Sequence, residues 1–200
     1  ELSTEWSKTV INECKKISKE ISKEDIETRR DFRSLNFVTI DGSNAKDFDD
    51  AVYAEELSDG FRLYVAIADV SAYVTKDSQL DKEAFSRATS VYFEKKVIPM
   101  LPELISNQLC SLRPNEDKLV LTCEIYLDNR GEIKDFEFFN SVICSKNRLT
   151  YDEVEKFYQK GQTALLEDAV NNLRVLKKIH SLRRKIREDR KAIDFYLPEY

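Results

Sequence analysis

The chain has one histidine and four cysteines in 200 residues. The cysteines, at 14, 110, 123 and 144, form no CxxC pair and show no metal-ligand spacing, and His180 cannot complete a zinc site with them. A zinc-binding module is thereby excluded, and the cysteines read as free thiols in a reducing cytoplasm. No apolar run approaches the length of a membrane span, and the opening ELSTEWSK lacks the charged and apolar regions of a signal peptide, so no membrane association is expected. Bulk positive charge is missing as well. A formal net charge of −5 argues against a protein that grips nucleic acid through its overall potential, leaving only local basic surfaces for that purpose.

What is there suffices for a folded domain, since 42% hydrophobic residues can bury a real core. Trp6, Val10, Cys14, Ile17 and Ile21 recur at steps of three and four behind a possible Ser3 or Thr4 cap, which predicts an amphipathic helix. SKEDIETRRDF predicts a short second helix leading into the strand FVTID. AVYAEEL and FRLYVAIADV flank Ser58, Asp59 and Gly60 as the arms of a hairpin, and the second arm, apolar almost throughout, reads as a central strand. QLDKEAFSRATS predicts a helix. Pro99 and Pro102 then forbid regular structure through VIPMLPELISNQLCSL, an ordered, buried loop entering a short helix. A second hairpin turns at Asp128 to Gly131. Thr150 with Glu153 is a capping box for YDEVEKFYQ, and AIDFYLPEY looks like a further strand beginning. These elements predict an α+β fold, an antiparallel-rich β-sheet with helices packed on one side.

Residues 174 to 191, RVLKKIHSLRRKIREDRK, carry nine Lys or Arg against two acids, striped by Val175, Ile179, Leu182 and Ile186. This is either the solvated face of an amphipathic helix or a surface for phosphates. His180, beside the stripe, reads as a packed or solvent-edge residue rather than a catalytic base.

The densest signal is TIDGSNAKDFDDAV, residues 39 to 52, which sets Asp41, Asp47, Asp49 and Asp50 within ten positions between two strands. In an extended chain Asp47 and Asp49 point to one side and Asp50 to the other, so only a loop that doubles back brings all four together. Separate acids could serve turns and caps. Converging ones repel, raise one another's pKa values and call for a cation. Oxygen donors without histidine or thiolate select Mg²⁺ or Mn²⁺. An EF-hand starting at Asp47 would need a side-chain oxygen where Ala51 stands, which disfavours a calcium loop and favours a site completed by substrate phosphate oxygens. The residues alone therefore point to Mg²⁺-dependent phosphoryl chemistry.

TIDGSNAKDFDDAV resembles the signature of the RNase II and RNase R family of exoribonucleases. FRLYVAIADVSAYV, SVYFEKKVIPMLPELISNQLCSL and VICSKNRLTYDEV resemble further blocks of that family in the same order, and KDFDD and VIPMLPE resemble the RNase R branch. The resemblance implies hydrolytic, processive 3′-to-5′ degradation of single-stranded RNA to nucleoside 5′-monophosphates with Mg²⁺. It implies that Asp41, Asp47 and Asp50 bind metal, that catalysis depends on Asp49, and that Tyr92 stacks on the 3′-terminal nucleotide. From the residues alone, Tyr92 would be a core aromatic of VYF.

Under that resemblance the chain is the N-terminal part of an RNB catalytic domain, with leading helices in 1–35, the motif-bearing sheet in 36–160, and the basic helix and a further strand in 161–200. A downstream arginine and glutamate, preceding cold-shock domains and a following S1 domain are expected in the parent protein. Lys177, Lys178, Arg184 and Arg187 become candidates for contacting RNA phosphates. Two other readings compete: a non-catalytic fragment or relative that only binds RNA or a partner, and a Mg²⁺ phosphohydrolase acting on small nucleotides, which would leave the VIPMLPE block without a purpose.

Overall fold

The computed structural model describes residues 4–93, 96–161 and 167–193. Its centre is the predicted first hairpin, β3 (Asp50–Leu57) and β4 (Gly60–Ala68), paired from Asp50↔Ile67 to Leu57↔Gly60. β4 pairs on its other edge, again over its whole length, with the first arm of the second hairpin, β7 (Asp117–Asp128) and β8 (Ile133–Cys144). A side chain at Gly60 would run into the Leu127 carbonyl, so this close pairing requires a glycine there. Three short strands complete the sheet: β1 (Arg30–Asp31) parallel to β8, β2 (Val38–Asp41) antiparallel to β3, and β9 (Asn147–Thr150) parallel to β2. The order is β1-β8-β7-β4-β3-β2-β9; a separate ribbon joins β5 (Val91–Phe93) to β6 (Lys96–Ile98).

The antiparallel-rich sheet is as expected, but the helices divide between its two faces instead of packing on one. Phe37, Ala51, Tyr64, Ala66, Val120 and Ile143 face a core with α1 (Lys8–Cys14), α3 (Gln79–Arg87) and the segment around Leu101 to Leu112. Val38, Ala54, Phe61, Leu127 and Leu149 face the opposite way, against α4 (Tyr151–Lys160) and α5 (Glu167–Asp189). The cause is legible in β4 itself. Phe61 and Leu63 lie on one parity, Tyr64, Ala66 and Ala68 on the other, and a strand apolar on both faces needs cover on both.

Local signals mostly match the structure. Thr150 Oγ1 accepts from Glu153 N while Glu153 Oε2 takes the Thr150 amide, which is the expected capping box. The proline-rich segment is ordered and enters a single wide turn, Ile105–Leu109, closed by Cys110 N donating to Ile105 O at 2.9 Å. The first helix is shorter than its apolar stripe implied. Ser7, not Ser3 or Thr4, caps it, and it ends at Cys14, with Trp6 and Ile17 packing from either side of it. The predicted strand in AIDFYLPEY falls largely on residues 194–200, outside the described residues.

One seam of the sheet depends on a side chain. β2 and β3 pair in register only at Val38↔Val52. Asn172, 2% exposed on α5, takes over as partner: its Oδ1 accepts from Ala54 N at 2.9 Å, and its Nδ2 donates to Val52 O and Asn36 O at 3.2 and 3.1 Å. Truncation would strand one buried donor and two carbonyls. Asn172→Ala is therefore expected to destabilise the fold by about 2–4 kcal/mol in urea unfolding; a loss below about 0.5 kcal/mol would contradict this role for the side chain.

Candidate active site

Asp41 is the last residue of β2 and Asp50 the first of β3, so the acidic loop is the excursion between two sheet neighbours. The chain turns sharply after Asp41, with Ala45 N donating to Gly42 O at 3.1 Å. Arg148 on β9 holds this turn from below, donating from Nη2 to Gly42 O at 2.8 Å and to Ser43 O at 2.9 Å, with its guanidinium 5.5 Å from the Phe48 ring. The return leg is anchored by Leu112 N donating to Phe48 O and Ala68 N donating to Asp49 O, at 2.8 and 2.9 Å. Sequence reasoning passed over Arg148. It stands inside the block VICSKNRLTYDEV, yet nothing ties it to residue 42 until β9 pairs alongside β2, with Arg148 opposite Thr39.

The doubling-back brings the four carboxylates into electrostatic range. Loss of hydration on burial raises the Asp41 pKa; repulsion from Asp50 adds to this, and Arg148 opposes it. Asp49 is also pushed up, first by partial loss of hydration and then by the charges of Asp47 and Asp50. Asp41 Oδ2 is buried without a hydrogen bond of good geometry, and the buried Thr39 hydroxyl beside it lowers the Asp41 pKa only in part. A buried carboxylate oxygen beside other acids, short of hydrogen bonds, has the donor chemistry that suits a hard cation such as Mg²⁺ or Mn²⁺. Among the described residues no three such groups converge to grip one ion, so the loop gathers its acids without closing a complete shell. Cys110 lies next to this loop. Burial, with a contribution from the Asp49 charge, pushes its thiol up to about 12, which keeps it protonated and excludes it as a thiolate nucleophile at neutral pH.

Tyr92 is not a core aromatic. It stands on β5 with 66% of its surface exposed, and with Asp47, Lys46 and Asn107 it lines a cleft of about 530 Å³. A second cleft of about 670 Å³ shares Ala45, Lys46, Glu103 and Asn107 with the first and adds Phe48, Arg113 and Arg148. The basic helix lies elsewhere. Lys178 Nζ pairs with Glu56 at 2.7 Å, and Glu56 is six residues along β3 from Asp50, which puts this part of α5 about 20 Å from the acids. Lys177 donates to Tyr158 O and covers its ring, Arg184 pairs with Glu188, and Arg187 is exposed in the last turn. A groove of about 910 Å³ there holds Lys177, Lys178, Phe61 and Tyr158 but none of the aspartates. His180 is exposed on α5, distant from the loop.

The electrostatics give a stability prediction. Asp49 has a raised folded-state pKa, so its ionised form burdens the fold at pH values above the carboxylate range, and this burden vanishes when the side chain is protonated in both states. In metal-free buffer at pH 7, Asp49→Asn is expected to melt at a higher temperature than the parent chain, with the gap narrowing as pH falls into the carboxylate range. If the Asp49→Asn variant instead melts lower at pH 7, lost hydration and crowding of the charge do not burden the fold at this residue.

The model of the RNB domain matches residues 29–200. Ribonuclease R of Acidithiobacillus ferrooxidans is 46% identical over 196 residues, 97% of this chain and 45% of that protein. Ribonuclease R of Escherichia coli is 43% identical over 194 residues, 95% of this chain and 24% of that protein. The chain thus spans less than half the length of these relatives. Among solved structures, Mycoplasma genitalium RNase R in complex with double-stranded RNA superposes with a TM-score of 0.90 at 39% identity, covering 95% of this chain and 34% of that one. The same protein with ribose-methylated single-stranded RNA gives 0.91 at 38%, covering 98% and 31%. Yeast Ssd1, described as a pseudonuclease, shares the fold alone, with a TM-score of 0.68 at 22% identity over 80% of this chain and 19% of that one. By the domain match and the kinship with RNase R, the chain belongs to the RNB domain family.

Proposed function

We propose that this chain is the N-terminal part of the catalytic domain of a 3′-to-5′ exoribonuclease that hydrolyses single-stranded RNA processively to nucleoside 5′-monophosphates. The observation that supports this reading best is the single cleft that joins Asp47 to the exposed Tyr92 at the mouth of the acidic loop. A strand end entering it can stack its last base, whatever its identity, on an aromatic face while its terminal phosphodiester lies against the carboxylates. Asp41, Asp47 and Asp50 are the residues to hold Mg²⁺, with Mn²⁺ as a substitute. The bound ion would supply an activated water and charge stabilisation on the phosphate. Asp49, set between Asp47 and Asp50 with its carbonyl held by Ala68 N, is in this reading the residue on which hydrolysis depends.

Lys177, Lys178, Arg184 and Arg187 serve, in this reading, as phosphate contacts on strand well upstream of the 3′ end. Lys178 and Arg184 would first leave exposed acidic partners, an exchange that costs about 1 kcal/mol or less per pair. The relatives are two to four times the chain's length, as the 45% and 24% coverages require, which leaves room in a full-length protein for the downstream arginine and glutamate and for cold-shock and S1 domains. Activity is accordingly assigned to that full-length protein rather than to these 200 residues alone. A cytoplasmic setting suits four cysteines left as thiols; among the described residues no helix is long and apolar enough to cross a membrane.

The test is release of mononucleotides from labelled poly(A) with Mg²⁺. In the full-length protein Asp49→Asn is expected to lower the rate by at least about 100-fold while RNA binding persists; undiminished release would overturn the role of Asp49. Tyr92→Ala is expected to weaken engagement of the 3′ end by about 1–3 kcal/mol, read as a higher KM on short oligonucleotides. A wild-type protein that binds RNA but releases nothing would point instead to a non-catalytic RNA-binding relative.

A further inference from the structure

The acidic loop must hold four like charges together, and hydrogen bonding within the loop is too sparse to do so. Two anchors reach it from the neighbouring elements β4 and β9: Ala68 N to Asp49 O, and Arg148 to Gly42 and Ser43. Neither touches the peptide units on either side of Asp47. Those are held by one hydroxyl. Ser111, fully buried, donates from Oγ to Lys46 O at 3.1 Å and accepts there from Phe48 N at 3.1 Å. The next residue continues the contact, with Leu112 N donating to Phe48 O at 2.8 Å.

Serine suits this place because a hydroxyl can donate and accept at one point, which no apolar side chain of its size can do. The Ser111 segment is itself held rigidly. Ser145 Oγ, from the β8–β9 connection, donates to Leu112 O at 2.8 Å, and the buried Lys118 Nζ donates to Gln108 O at 2.6 Å just upstream. A chain of hydrogen bonds thus runs from the β8–β9 connection through Ser145, Leu112 and Ser111 to the two peptide units that flank Asp47.

We infer that Ser111 is a positioning residue for the metal-binding acidic loop, holding the backbone on both sides of Asp47 so that its carboxylate faces the cleft it shares with Tyr92. The inference rests on the exoribonuclease reading for the purpose of the loop, but its physical content is metal affinity. Removing the hydroxyl frees Lys46 O and Phe48 N, and the loop relaxes away from charge repulsion, so Asp47 moves off the position a cation requires.

The experiment compares Ser111→Ala and Ser111→Thr with Thr122→Val in the full-length protein. Thr122 is a control of the same chemistry, a fully buried hydroxyl bonded to Ser141 Oγ at 2.6 Å in the β7–β8 hairpin, away from the loop. Mn²⁺ affinity is read by electron paramagnetic resonance, the Mg²⁺ dependence by mononucleotide release, and stability by thermal melting. Ser111→Ala is expected to weaken Mn²⁺ binding and raise the half-saturating Mg²⁺ by about tenfold or more, with RNA affinity in metal-free buffer unchanged. Ser111→Thr, which keeps the hydroxyl, restores most of the affinity, and Thr122→Val lowers the melting temperature without moving either metal curve. Should Ser111→Ala fail to fold, Ser111→Cys, which weakens both hydrogen bonds at nearly constant volume, carries the same expectation. Metal curves for Ser111→Ala that overlay the wild type, or an equal shift in Thr122→Val, overturn the inference. A wild-type protein that releases no mononucleotide overturns the nuclease reading alone, because the Mn²⁺ titration still judges Ser111; a wild type with no measurable Mn²⁺ binding overturns both.

Discussion

The strand β4 is the constraint from which the rest of this architecture follows. It is hydrogen-bonded along both edges and carries apolar side chains on both faces, with Phe61 buried on one and Tyr64 and Ala66 on the other, while Ile67 near its end stays exposed. Helices must therefore cover both faces, and the long α5 crosses one of them while α1, α3 and the proline-rich segment fill the other. Its edge pairing with β3 also sets where the acidic loop ends. Asp50 lies opposite Ile67, and Ala68 holds the Asp49 carbonyl, so the centre of the sheet fixes the exit of a loop that is otherwise one turn and irregular chain.

Against that rigid frame the acidic loop is locally unfavourable. Asp41 and Asp49 are raised by lost hydration and by neighbouring carboxylates, and one oxygen of Asp41 is buried without a hydrogen bond of good geometry. Such groups are retained at a cost in stability, and sites that bind cations and phosphates are where that cost is commonly tolerated. The stabilising contacts come from outside the loop: Arg148 opposes the charge of Asp41, while backbone donors from Ala68 and Leu112 and the Ser111 hydroxyl hold its carbonyls and amides. The separation of roles is spatial too. Asp47 and Tyr92 share a cleft at one end of the sheet, while Lys178 of α5 pairs with Glu56 some six residues along β3, near the opposite end.

Much of this was legible in the order of residues. Period-two and period-three-to-four patterns, the Thr150 capping box and the turn at Asp128 to Gly131 depend on neighbours close in sequence, and the structure repeats them. The four aspartates stood out for the same reason, being crowded into ten positions. Short β9 and β1 were missed because two or four residues carry no periodicity, and their pairing partners are remote in the chain. The length of α1 was overread, since an apolar stripe can continue past a helix end when the following loop packs on the same core.

The sequence by itself determined the two long hairpins, the existence of the main helices and which residue types crowd the loop, because propensity, periodicity and charge are local properties. Only the tertiary structure decided that Tyr92 leaves the core to share a cleft with Asp47, that Arg148 lies under the turn at Gly42, that Asn172 closes the seam of the sheet, and that Ser111 grips the backbone around Asp47. Each of these joins residues separated by 45 to 136 positions of chain. Which hydroxyl, amide or guanidinium reaches which peptide unit is settled by the packing of strands and helices, and no pattern in the intervening residues encodes it.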